Sequence, residues 1–159
     1  MPGTERQITL RFLAEPGDQN FGGKVHGGAV MRWIDLAAYA CAAGWSGKYC
    51  ITAYAGGIRF VKPILVGQLV EVAAKVIMTG NTSMHIAMEV RAGYPTREER
   101  SLTTRCTVIM VAVDEEGNPT PVPEWVPKEP RDLKLRDSAK RLMELRKQLS
   151  QEEAYFPEP

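Results

Sequence analysis

Apolar residues recur along this chain with two periods. Val30, Ile34, Ala37 and Cys41 follow the i, i+4, i+7, i+11 spacing of one helical face. Leu36, Ala40 and Ala43 make the opposite side apolar too, which predicts a helix from Gly27 to Gly44 that is buried all round. Glycine near both ends suits close approach at the start and a stop at the finish. Elsewhere the period is two. Residues 6–13 alternate polar with apolar and predict a half-buried strand, broken by Pro16-Gly17-Asp18-Gln19. Residues 51–61 predict a strand with a bulge or close backbone contact at Gly56-Gly57. Val70, Val72, Ala74, Val76 and Met78 predict one face of a further strand, with Glu71 and Lys75 on the other. Gly80-Asn81-Thr82-Ser83 is a turn, and Met84, Ile86, Met88 and Val90 alternate after it. Residues 92–100 form a charged tip before a last long strand over 101–113.

The order is therefore strand, one long helix, then four strands joined by short turns. Strands so joined pair antiparallel. Their apolar face has only the single helix to cover, giving an α+β sheet wrapped round it. Beyond the sheet the pattern changes. Pro119, Pro121, Pro123, Pro127 and Pro130 predict an extended, exposed linker. Residues 132–151 predict a charged helix whose Leu135, Leu142, Leu145 and Leu149 mark a narrow stripe for a neighbouring element or partner chain. The domain boundaries read 1–124 for the sheet-and-helix unit and 125–159 for linker, helix and tail.

Composition narrows the class. The 159 residues fit one principal domain, and 44% hydrophobic content supplies its core. A net charge of +1 gives no strong field for nucleic acid or anionic membrane. No run of about 18 apolar residues predicts a membrane span. The start, Met1-Pro2-Gly3-Thr4-Glu5-Arg6, lacks the pattern of a signal peptide. Three cysteines without a CxxC suit a reducing compartment, and two histidines, His26 and His85, flank no ligand cluster. A cytoplasmic protein without a metal is expected.

Chemistry concentrates around the helix start. Gly27-Gly28 would put bare N–H groups at the positive end of the helix dipole, where an oxyanion can be held. Asp35, the one acid in an apolar helix, is costly to bury unless paired or at work. It lies about two turns, ~11 Å, along the axis, so one copy's acid need not serve the same copy's donors. Asn20, ahead of the loop, is placed to hold a water or a carbonyl. His26 reads either as a base or as a loop-ordering hydrogen-bonder, and Cys41 as an inert apolar residue.

The segment Asn20-Phe21-Gly22-Gly23-Lys24-Val25-His26-Gly27-Gly28, with Asp35-Leu36-Ala37-Ala38-Tyr39, resembles the acyl-CoA thioester hydrolases of the hotdog fold. Phe60-Val61-Lys62-Pro63, Gly80-Asn81-Thr82-Ser83 and Val111-Ala112-Val113-Asp114 extend the resemblance over about residues 7–124. The resemblance implies hydrolysis of fatty acyl-CoA to free acid and CoA, with no cofactor beyond the CoA of substrate and product. It implies a site at a homodimer interface and assembly as a trimer of dimers. Asn20 and Asp35 take the family's catalytic positions, contributed by different subunits; Asp35 acts as general base or nucleophile. Gly27 or Gly28 N–H polarises the carbonyl, while Gly80, Asn81, Thr82, Ser83 and Lys62 approach the CoA phosphates. Gly56-Gly57-Ile58-Arg59 stands where relatives carry a polar or acidic residue. Two other readings remain: a hotdog enoyl-CoA hydratase or dehydratase using His26, and a non-catalytic acyl-CoA binder.

Overall fold

A computed structural model describes residues 1–153 of the chain. It divides into two units, Met1–Trp125 and Val126–Pro159. In the first, β1 (Gln7–Leu13) precedes α1 (Gly27–Ser46). Four strands follow: β2 (Cys50–Phe60), β3 (Leu69–Thr79), β4 (Ser83–Gly93) and β5 (Ser101–Ala112). They form one sheet in the order β1-β3-β4-β5-β2, antiparallel throughout. This is the hotdog arrangement the sequence predicts.

The core follows the expected alternation. Val70, Val72, Ala74 and Val76 of β3, with Met84, Ile86, Met88 and Val90 of β4, point at α1 and are fully buried. Cys106, Val108 and Met110 of β5 complete that face. Against it α1 lays Val30, Trp33, Ile34, Ala37, Ala38, Cys41, Ala42 and Trp45. Burying each large member contributes about 1.5–3 kcal/mol. Met78 departs from the predicted face. A register shift between Val76 and Met78 turns it to the outer side, opposite His85.

Three expectations about the elements are corrected. First, α1 is not buried all round, because the sheet covers only one side of it. Met31, Leu36 and Tyr39 are exposed. Secondly, Gly44 does not stop the helix. The left-handed residue is Gly47, at φ 67°, whose N–H bonds Ala43 O. The N-terminal segment passes over this end of the helix, closest at Gly47, where a Cβ would sit 2.7 Å from Pro2 Cγ, against an ordinary 3.4 Å between a Gly44 Cβ and Glu5 Cβ. Thirdly, the first part of the proline-rich stretch is no free linker. Thr120 N bonds Ala112 O, Val122 N bonds Asn81 O, Trp125 N bonds Thr79 Oγ1, and Trp45 Nε1 bonds Pro123 O. Residues 119–125 therefore strap the β3–β4 turn to the end of α1.

In the second unit, α2 spans Pro130–Glu153. Leu142, Leu145 and Leu149 of the predicted stripe are about half exposed. The tail expected after it, residues 154–159, lies outside the described residues.

Candidate active site

The loop before α1 is built on Asn20. Its Oδ1 accepts N–H bonds from Gly22 at 2.9 Å and Lys24 at 3.0 Å, while Asn20 N donates to Lys24 O at 2.6 Å. Two donors at one end identify that end as oxygen. The other end, Nδ2, is left with its two hydrogens facing outward.

The loop delivers the chain to α1 through two further bonds, Val25 N to Ile64 O and His26 N to Asp18 O, both 2.9 Å. His26 is the N-cap, and its Nδ1 accepts from Ala29 N at 2.9 Å. The N–H groups of Gly27 and Gly28, the first two helical residues, have no intrahelical acceptor. Nothing among the described residues accepts from them. Both glycines are exposed, and the Phe60 ring flanks the first turn, 3.5 Å from where a Gly27 Cβ would stand. The site thus offers two backbone donors at the positive end of a 20-residue helix, with Asn20 in the loop that leads into it.

Asp35 lies about 12 Å further along the axis. In the chain it is exposed rather than buried, on the open side of α1 with Met31, Leu36 and Tyr39. Thr52 Oγ1 donates to its Oδ1 at 2.5 Å. Thr52 carries no signal in the sequence pattern. It faces α1 because it alternates with the buried Cys50 and pairs with the buried Met110 of β5, and the β2 register shifts only after it, before Tyr54. The expected shift at Gly56–Arg59 is present as well. There the absent Gly56 Cβ makes room for the Tyr54 ring.

One chain does not bring all the proposed residues together. Asn20, Gly27 and Gly28 gather at one end of α1, and Lys62 follows β2 at that end, where Nζ bonds Ser101 Oγ at 3.2 Å. Gly80, Asn81, Thr82 and Ser83 sit at the other end of the sheet, where Ser83 pairs with Val111. The separation is the length of a strand, about 30 Å. Those four residues also have local work: Gly80 N bonds Ser83 O, and Thr82 O and Asn81 O receive Ala112 and Val122. The buried thiols take no part, since burial pushes Cys41 up to about 12 and Cys106 up to about 11.

Residues 22–98, the glycine loop, α1 and the strands through β4, match the family model of the thioesterase superfamily. The Salmonella typhimurium acyl-CoA thioester hydrolase YciA is 32% identical over 120 residues, 74% of this chain and 90% of that protein. The chain belongs to the thioesterase superfamily. Protein VdlD of Helicobacter pylori is 31% identical over 88% of this thioesterase and 80% of its own length. Among solved structures, an apo-hexameric acyl-CoA thioesterase matches with a TM-score of 0.87 and 32% identity, over 94% of this chain and 96% of that one. The Staphylococcus aureus acyl-CoA hydrolase, solved with butyryl coenzyme A, matches at 0.86 and 27%, over 97% and 94%. Structures of its variants, each with an asparagine, an aspartate or a threonine changed to alanine, match too. Those three positions are 15 and 17 apart, the intervals that separate Asn20, Asp35 and Thr52 in this thioesterase.

Proposed function

We propose that the protein hydrolyses acyl-CoA to the free acid and CoA in a site shared by two copies of the chain. The carrying observation is the separation within one α1: donors at its first turn, acid two turns away, both on its open side. Two α1 helices laid antiparallel bring each acid to the other's donors. The exposed Met31, Leu36, Tyr39 and Ile51 give a twin something to cover, and β2 at the sheet edge can pair with its twin strand. The hexameric relatives support further assembly as a trimer of dimers.

In this reading the thioester oxygen lies on Gly27 N–H and Gly28 N–H, with Asn20 Nδ2 as third donor, since Oδ1 is spent on its own loop. Asp35 either takes a proton from water attacking the carbonyl carbon or attacks it directly. The C–S bond then breaks, the negative charge returns from oxygen, and CoA leaves as thiolate to be protonated; on the direct route the acyl–Asp35 anhydride left behind is hydrolysed by water, which frees the acid and restores the carboxylate. Water, a carboxylate and amide donors suffice for this, so CoA enters only as part of substrate and product. Lys62 and the Gly80–Ser83 turn would meet CoA phosphates only from different chains. A hydratase using His26 would need an Nδ1 that is already committed to Ala29.

Asn20→Asp keeps the loop acceptors but loses the Nδ2 donor. CoA release should fall about a hundredfold or more in that variant and in Asp35→Asn. Co-expressing Asn20→Ala with Asp35→Ala tests the sharing. Random pairing rebuilds one intact site in half the dimers, so about a quarter of parental activity returns. Near-normal turnover in both single variants overturns the site, and no recovery on mixing overturns its division between copies.

A further inference from the structure

The first turn of α1 carries the two proposed donors, and one side chain caps it, beside the backbone bonds that Ala29 N and Val30 N make to His26 O. We infer that His26 is a positioning residue that fixes the oxyanion donors by capping α1, and that Gly28 is glycine because the capping ring occupies its Cβ space. This deepens the proposed site and rests on that reading of Gly27 and Gly28.

Ala29 N–H, at the third helical position, is one of four donors that an α-helix cannot satisfy internally. His26 Nδ1 accepts it at 2.9 Å with the cap residue extended, at φ −76° and ψ 151°. Histidine is an unusual cap, since Ser, Thr, Asp and Asn are preferred. A neutral ring with Nδ1 accepting carries its proton on Nε2, so no lone pair is left to take a substrate proton. The ring also lies close to the second helical residue: a Cβ on Gly28 would stand 3.1 Å from Nδ1 and 3.3 Å from Cε1. That is tighter than a methyl group ordinarily packs, so the ring would have to give by a few tenths of an ångström, loosening its bond to Ala29 N and leaving that N–H to its 3.1 Å bond with His26 O. His26 is exposed, which gives the ring room for that shift. Gly27 is different, since its Cβ would touch Phe60 at an ordinary 3.5 Å. The His-Gly-Gly run thus acts as one unit: ring, bare donor, bare donor.

The consequence is a coupling between positions 26 and 28, measurable with His26→Ala, His26→Asn, Gly28→Ala and His26→Asn/Gly28→Ala. Asparagine caps well but has no acid–base chemistry in this range. His26→Ala should lower kcat about tenfold and the melting temperature by about 2–4 °C, as for a lost cap. His26→Asn should restore most of both losses. Gly28→Ala should lower kcat about a hundredfold in the parent and several-fold less in the His26→Asn background, where no ring fills the space. His26→Asn as inactive as His26→Ala overturns the proposal, because it makes the imidazole itself the working group. Equal Gly28→Ala losses in both backgrounds overturn it as well, because the ring is then not what glycine accommodates. If the melting temperatures couple while kcat stays unmoved in every variant, the cap stands but the donor assignment falls, and the positioning role with it.

Discussion

Thr52 and Asp35 meet at 2.5 Å between a strand and a helix, 17 residues apart in the chain. The hydroxyl engages only Oδ1, which leaves Oδ2 for water or for the carbonyl carbon. Thr52→Val keeps the branched shape and removes the hydrogen bond. It should cut kcat about tenfold while changing stability by no more than ~1 kcal/mol, checked by steady-state kinetics and denaturant unfolding. Thr52→Ser should recover much of the rate. Legibility at this scale follows locality. Asn20, Gly27 and Gly28 stand out because a loop and helix start is written in consecutive residues. Thr52 does not, because its neighbour across the gap is set by how α1 lies over β2, which no run of consecutive residues records. The surroundings of Asp35 mislead for a related reason: Leu36, Ala40 and Ala43 are apolar, but apolar composition does not say which side the sheet covers.

The strands carry their own constraints, strongest in the β4–β5 hairpin. Gly93 ends β4 where the returning backbone comes closest, and a Cβ there would collide with Glu99 O. Arg100 braces the tip, donating to Tyr94 O and Glu99 O and pairing with Glu71 at 3.4 Å. Gly93→Ala must move backbone rather than a side chain. It should cost about 2 kcal/mol or more, seen as a melting temperature lowered by roughly 4–8 °C. The existence and type of the five strands and both α-helices are legible in the sequence, since periods of two and 3.6 separate cleanly in this chain, whereas the 3-10 turn over Pro16–Asp18 reads only as a break. The strand order is not, because the pattern does not specify which strand lies beside β1. The end of α1 is ambiguous too, since Gly44 and Gly47 look alike in the sequence and only the left-handed φ of Gly47 tells them apart.

At the scale of the molecule, the open side of α1 and the β2 edge are the surfaces the proposed function uses. Leu36 is 53% exposed in the chain. On a surface that stays exposed, Leu36→Glu would be nearly neutral. In the shared-site reading it should instead break the assembly and abolish turnover, with sedimentation velocity showing smaller species. An unchanged assembly with full activity would place the twin elsewhere. The same geometry accounts for the two helical turns between the donors and Asp35 in one chain: in that reading the complete site belongs to the pair.

The strap over residues 119–125 fixes where the folding unit ends. Its bonds satisfy the Trp45 indole and close the β3–β4 turn, although it contributes no strand. Trimming the protein back to its last strand would strip away that fastening and leave an indole and a hairpin without their acceptor and donors. The shortest piece expected to stand alone therefore finishes at Trp125, well past the sheet it completes.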